Sequence, residues 1–198
     1  GLCHSKGITT IADEVMTGFG KTGTLFASDQ MDHKPDIICL SKSLTGGMAP
    51  MAVTCCNNEI YNAFLSEQVT KGFFHGHTYS ANPLACNAAL AAMELLTSRE
   101  YQDHISRITE SHKVFTRELE KHEIVKDIRA LGVILAFDLN LPADRYGNLR
   151  DRLYEYYMSK GVFLRPLGST IYMLPPFVIT DEELNNIYSI MLDSLKIL

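Results

Sequence analysis

Apolar positions in the first half of the chain come in short, β-branched runs broken by turn residues. Residues 8–12 (ITTIA) and 37–40 (IICL) are predicted as buried strands, the first ending at Asp13 and Glu14 and the second near Lys42. Between them lie a glycine-rich turn at 18–23 and a short segment of helical character at 25–31. That order makes a strand, crossover, strand unit and predicts parallel pairing. A third strand is predicted at 51–55 and a helix over about 58–65. Asn82 as cap and Pro83 at the first helical position then open a strong helix over 84–96. Residues 1–7 read as the last turns of a helix closed by Gly7, so the sequence is expected to begin inside a domain.

The period changes near residue 100. Tyr101, Ile105, Ile108, Phe115 and Leu119 recur at spacings of three and four, which predicts a long amphipathic helix bridging two lobes. Strands are predicted at 124–128 and 132–139, a helix at 149–160 stopped by Gly161, and further strands at 162–165 and 170–174. Thr180 and Glu183 form a capping box that opens the last helix. The expected organisation is therefore an α/β domain over 1–98, then a bridging helix and a small α+β domain over 99–198.

Composition narrows the function classes. With 46% hydrophobic and 21% charged residues, the chain is neither disordered nor low-complexity. A net charge of -5 offers no basic face, so no nucleic acid is expected as a partner. The longest apolar runs, such as 133–137, fall far short of the ~20 residues of a membrane span, and no signal series opens the chain. Cys3, Cys39, Cys55, Cys56 and Cys86 are odd in number and include an adjacent pair, unlike a disulfide framework. They are read as buried small residues in a reducing, cytoplasmic protein. His75 and His77 lack a third ligand, so no metal is expected.

Residues 18–23 fit the pattern G-x-G-x-x-G, yet a dinucleotide reading fails. Asp13 and Glu14 would set negative charge at the pyrophosphate, and no good helix follows directly. A phosphate-binding loop fails as well, because its required earlier glycine falls at Val15.

Asp13 and Lys42, 29 residues apart, each stand at the carboxyl end of a predicted strand, the edge where open α/β sheets bind ligands. An amine and a carboxylate in one crevice suit pyridoxal phosphate. The amine condenses with the aldehyde as a Schiff base, and the carboxylate keeps the pyridine nitrogen protonated, so that the ring withdraws electrons. A solvated lysine beside a turn-capping aspartate is the plainer alternative. The small residues and glycines around the lysine favour close approach of a flat ligand.

Ala12-Asp13-Glu14-Val15 with Thr17-Gly18-Phe19-Gly20-Lys21-Thr22-Gly23, then Pro35-Asp36-Ile37, then Ser41-Lys42-Ser43-Leu44-Thr45-Gly46-Gly47 follow one another in a familiar order. By these motifs the chain resembles the class III pyridoxal-phosphate aminotransferases. The resemblance implies the C-terminal part of the fold type I large domain, followed by a small α+β C-terminal domain. It also implies pyridoxal 5'-phosphate as cofactor, Asp13 as partner of the pyridine nitrogen and Lys42 as the Schiff-base lysine. Thr78, in His75-Gly76-His77-Thr78, becomes the hydroxyl that reaches a neighbouring subunit's cofactor phosphate in a homodimer whose active site crosses the interface. Lys21 and Gly76 fall on the substrate side.

Gly161-Val162-Phe163-Leu164-Arg165-Pro166-Leu167-Gly168 and Ile171-Tyr172-Met173-Leu174-Pro175-Pro176 are similar to the biotin-pathway members of that family. These convert 8-amino-7-oxononanoate to 7,8-diaminononanoate with S-adenosylmethionine as donor, and the arginine at the position of Arg165 holds the substrate carboxylate, with Tyr172 nearby. A guanidinium suits that role because it forks onto a carboxylate. The alternative for Arg165 is a surface strand residue paired with an acid. Two positions depart from the pattern: Lys21 stands where arginine is frequent, and His77 where biotin-pathway members often carry proline. Family members are also much longer. Two further readings remain: another class III ω-aminotransferase, of ornithine or 4-aminobutyrate type, or an inactive fragment that self-associates through uncovered sheet edges and apolar surface.

Overall fold

Ile11–Asp13 (β1) and Ile37–Leu40 (β2) pair in parallel, Asp13 opposite Cys39, as a crossover connection between neighbouring strands allows. Val53–Cys56 (β3) returns antiparallel to β2, with Leu40 opposite Val53, and completes a three-stranded sheet in sequence order. The computed structural model describes residues 1–198 and divides into two compact units, Gly1–Gln102 and Asp103–Leu198.

In the first unit a short helix, Leu2–Ser5 (α1), ends before Gly7, whose φ of +64° is the left-handed conformation that the sequence requires of a helix-stopping glycine. The 25–31 segment forms a 3-10 turn, Ala27–Gln30. Asp36 ties the sheet edge together: its carboxylate accepts the backbone N–H and the hydroxyl of Thr10 at 2.8 and 3.0 Å, and the Asn57 amide at 2.9 Å. These bonds hold its carboxyl below the usual carboxylate range. Asn57 caps the helix Asn58–Phe64 (α2), and Asn82 caps Pro83–Thr97 (α3) by accepting the N–H groups of Leu84 and Ala85.

Arg99–Leu119 (α4) carries the three-and-four stripe, with Ile105, Ile108, His112, Phe115 and Leu119 buried. The second unit's sheet runs Val125–Leu131 (β4), Ile134–Leu139 (β5) and Thr170–Met173 (β6), antiparallel throughout. A register shift between Lys126 and Arg129 bulges β4, with Asp127 at φ +48°. Leu135, Phe137 and Leu139 alternate into the core beside Ile171 and Met173. Asn148–Ser159 (α5) ends in a Schellman motif: Gly161 at φ +75° donates to Met158, and Val162 donates to the Tyr157 carbonyl. Asp181–Ser194 (α6) opens with the Thr180 and Glu183 capping box.

Two expectations fail. Residues 162–165 form no strand, although Val162 and Leu164 are buried while Phe163 and Arg165 are exposed. The Leu164 N–H bonds back to Val162, and Pro166 has no N–H to offer a ladder, so the period of two reports burial without pairing. The cysteines are not core residues either: Cys3, Cys55 and Cys56 are exposed, and Cys39 and Cys86 are half-buried. Short β-branched runs gave them an apolar context, but the strand that carries Cys55 and Cys56 is exposed over three of its four residues. No helix is long and apolar enough to cross a membrane.

Candidate active site

Asp13 is the last residue of β1, and Lys42 stands two residues beyond the end of β2. Since hydrogen-bonded strands lie about 4.8 Å apart, the parallel register delivers both side chains to one carboxyl edge, each exposed. The Asp13 carboxylate accepts the Val15 N–H at 3.1 Å. Lys42 opens a 3-10 turn, Lys42–Thr45, with its own backbone at φ +45°, a left-handed value uncommon for a residue with a side chain.

That turn is pinned from both sides. The Ser41 hydroxyl donates to the Met51 carbonyl at 2.8 Å and the Thr45 hydroxyl to the Ala49 carbonyl at 2.6 Å. The alanine face of α3 packs on the lysine turn rather than on the sheet, and a Cβ on Gly46 would sit 3.7 Å from that of Ala92.

Glu14, beside the candidate acid, is buried and takes a different part. Its carboxylate accepts the Thr17 hydroxyl, the Ala27 N–H and the Ser28 N–H at 2.8, 2.8 and 2.6 Å. Burial pushes its pKa up, but these donors outweigh it and the carboxyl stays below its usual value. Glu14 thereby ties the Ala27–Gln30 turn to the strand end. The sequence held a signal for this, an acid followed by a Thr three residues on, but the partners 13 and 14 residues away were not readable. Gly18 closes the loop: a Cβ there would meet the Glu14 carbonyl oxygen at 2.9 Å. Lys21 is partly buried, which lowers the pKa of its ammonium, and the neighbouring Thr22 hydroxyl is buried without a hydrogen-bond partner.

Gly76, His77 and Thr78 lie in an exposed turn. The His77 ring accepts the Tyr79 N–H on Nδ1 at 3.1 Å, the His77 N–H donates to Ser80 Oγ at 3.0 Å, and the Thr78 hydroxyl makes no hydrogen bond.

In the second unit Arg165 and Tyr172 line one cavity of about 720 Å³, walled largely by apolar side chains such as Leu174, Pro176, Val178 and Ile187. Arg165 is neither in a strand nor paired with an acid: its guanidinium makes no hydrogen bond or ion pair, and its carbon lies over the Phe163 ring, 5.8 Å from the centroid. Glu183, the acid of that wall, is engaged by the Thr180 N–H and hydroxyl at 2.9 and 3.0 Å, which holds its carboxyl low.

Comparison with known families matches residues 1–195 to Aminotransferase class-III. The chain belongs to this family. A relative from Synechococcus elongatus, an adenosylmethionine-8-amino-7-oxononanoate aminotransferase, is 42% identical over 195 residues, covering 97% of this chain and 45% of the relative. A Helicobacter pylori protein of the same name is 36% identical, over 92% of this chain and 42% of its own length. The crystal structure of the Methanocaldococcus jannaschii protein of that name superposes with a TM-score of 0.90 at 35% identity, over 98% of this chain and 47% of that one. The chain thus spans less than half the length of the relatives it matches.

Class III aminotransferases depend on pyridoxal phosphate. The donor set at the sheet edge fits that group chemically: Asp13 would offer a carboxylate to a pyridinium N–H, and Lys42 a primary amine to an aldehyde.

Proposed function

We propose that this chain is the C-terminal part of a class III aminotransferase that converts 8-amino-7-oxononanoate to 7,8-diaminononanoate in biotin biosynthesis, with S-adenosylmethionine as amino donor. The observation that carries the reading is the delivery of Asp13 and Lys42 to one carboxyl edge by adjacent parallel strands. The substrate is supported by the names of the relatives and by Arg165, a guanidinium without an acid in a largely apolar cavity. A long apolar acid needs such an anchor far from its reacting carbon.

When bound, the cofactor supplies an aldehyde and an electron-accepting pyridine ring. Asp13 holds the proton on the ring nitrogen by charge. Lys42 Nζ would hold the aldehyde covalently and would serve as the general base that carries a proton. Arg165 would receive the carboxylate with Tyr172 beside it, Lys21 and Gly76 would contribute on the substrate side, and Thr78 would donate to the phosphate of a second subunit's cofactor. We place the protein in the cytoplasm, in keeping with its five unpaired cysteines, and as a homodimer.

The test is borohydride trapping on the full-length protein loaded with pyridoxal phosphate. Mass spectrometry is expected to find the adduct on Lys42, and Lys42→Ala to lose both adduct and turnover. An adduct on another lysine, with Lys42→Ala still active, sinks the assignment. Activity on ornithine or 4-aminobutyrate in place of 8-amino-7-oxononanoate would move the enzyme to another branch of the family.

A further inference from the structure

Two arginines of the second unit, Arg145 and Arg165, lie over aromatic rings with no ion pair, Arg145 at 5.6 Å from the Tyr146 centroid. Arg107, Arg129 and Arg150 each pair with an aspartate, Asp181, Asp138 and Asp151. Arg165 has an aromatic ring instead. The period of two over residues 162–165 explains the placement: Val162 and Leu164 anchor the segment in the core, so Phe163 and Arg165 project to the same side. Phe163 is itself 65% exposed, too open for a core residue. It is met edge-on by Tyr154 of α5, with centroids 6.3 Å apart and planes at 78°. Tyr154 in turn lies under the Arg150 guanidinium, 5.2 Å from its centroid.

We infer that Phe163 is a positioning residue, whose ring holds the Arg165 guanidinium in the cavity wall with its N–H donors available to the carboxylate of an apolar substrate. This rests on the reading of Arg165 as the carboxylate anchor. The physical reason is competition. An aspartate beside Arg165 would restrain it equally well but would occupy the fork that the substrate needs, whereas a ring attracts the cation through its quadrupole and takes none of the five N–H groups. The exposed ring, the absent acid and the withdrawn Glu183 carboxylate are then parts of one arrangement.

The experiment measures binding of nonanoate and of nonan-1-ol to the full-length holoenzyme by calorimetry, together with KM and kcat for the amino acceptor. Phe163→Leu is expected to weaken nonanoate about two- to fivefold, the range of an exposed cation–π contact, to raise KM by more than it lowers kcat, and to leave nonan-1-ol unchanged. Phe163→Tyr keeps the ring and restores nonanoate binding. Stepwise fluorination of the ring, which drains its negative face at nearly constant shape, is expected to weaken nonanoate in step. Arg165→Ala, as reference, loses about ten- to a hundredfold. If Arg165→Ala weakens nonanoate while Phe163→Leu and the fluorinated rings do not, the positioning role is wrong and the anchor stands. If Arg165→Ala changes nothing, the anchor itself is wrong. Equal weakening of nonanoate and nonan-1-ol by Phe163→Leu would make the ring a mere wall of the cavity and overturn the inference.

Discussion

His112 is a histidine fixed in its neutral form by two unlike neighbours. Its Nε2 lies 3.1 Å from the Val133 carbonyl, which can only accept, so Nε2 carries the proton and Nδ1 accepts the Tyr188 hydroxyl at 2.6 Å. Phe115 stacks on Tyr188 at 4.1 Å and closes the group from solvent. Burial lowers the pKa of His112 and raises that of Tyr188, the latter against the opposing charge of Arg107. The unfolded chain then binds a proton more readily than the folded one as pH falls through about 6.5, so stability is lost on acidification. The melting temperature is expected to fall between about pH 7.5 and about pH 5.5, and His112→Gln to flatten that dependence while lowering stability at neutral pH. A slope unchanged in His112→Gln would assign the acid sensitivity to other groups. Glu14 is the opposite case, a buried group kept charged because three donors converge on it.

At the scale of elements, caps and stops follow local chemistry. The Thr180 hydroxyl accepts the Glu183 N–H at 3.2 Å and Glu183 reaches back to the Thr180 N–H. Thr180→Ala is expected to cost about 1 kcal/mol of stability and Thr180→Ser little, as read by denaturant unfolding. Equal stability of all three would show the box to be idle. Such signals were legible in the sequence because cap and partner lie within one turn, as do Asn82 with Pro83 and Gly161 behind α5. The parallel pairing of β1 with β2 was legible too, from the strand, crossover, strand order, and it sets Asp13 and Lys42 at the same carboxyl edge. What stayed hidden depends on distant partners: the ladder that residues 162–165 lack, the reach of Glu14 to Ala27 and Ser28, and the ring beside Arg165. Alternation marks which side chains are buried, and hydrogen-bond partners decide what the backbone becomes.

At the scale of the whole molecule, the first unit exposes many large apolar side chains, among them Met48 at 83% and Phe74 at 80%, with Tyr61, Phe73, Tyr79 and Leu84. The 198-residue chain alone is therefore expected to associate, and light scattering should show particles heavier than one copy; a clean monomer at micromolar concentration would count against this. The left-handed backbone of Lys42 bears on the same reserve of folding free energy. Glycine adopts that conformation without strain, so in the full-length protein free of cofactor Lys42→Gly is expected to unfold at a higher temperature than the natural sequence, by about 1 kcal/mol of added stability. If so, robustness is surrendered at position 42 in exchange for reactivity, and selection for heat tolerance alone would tend to erase the amine.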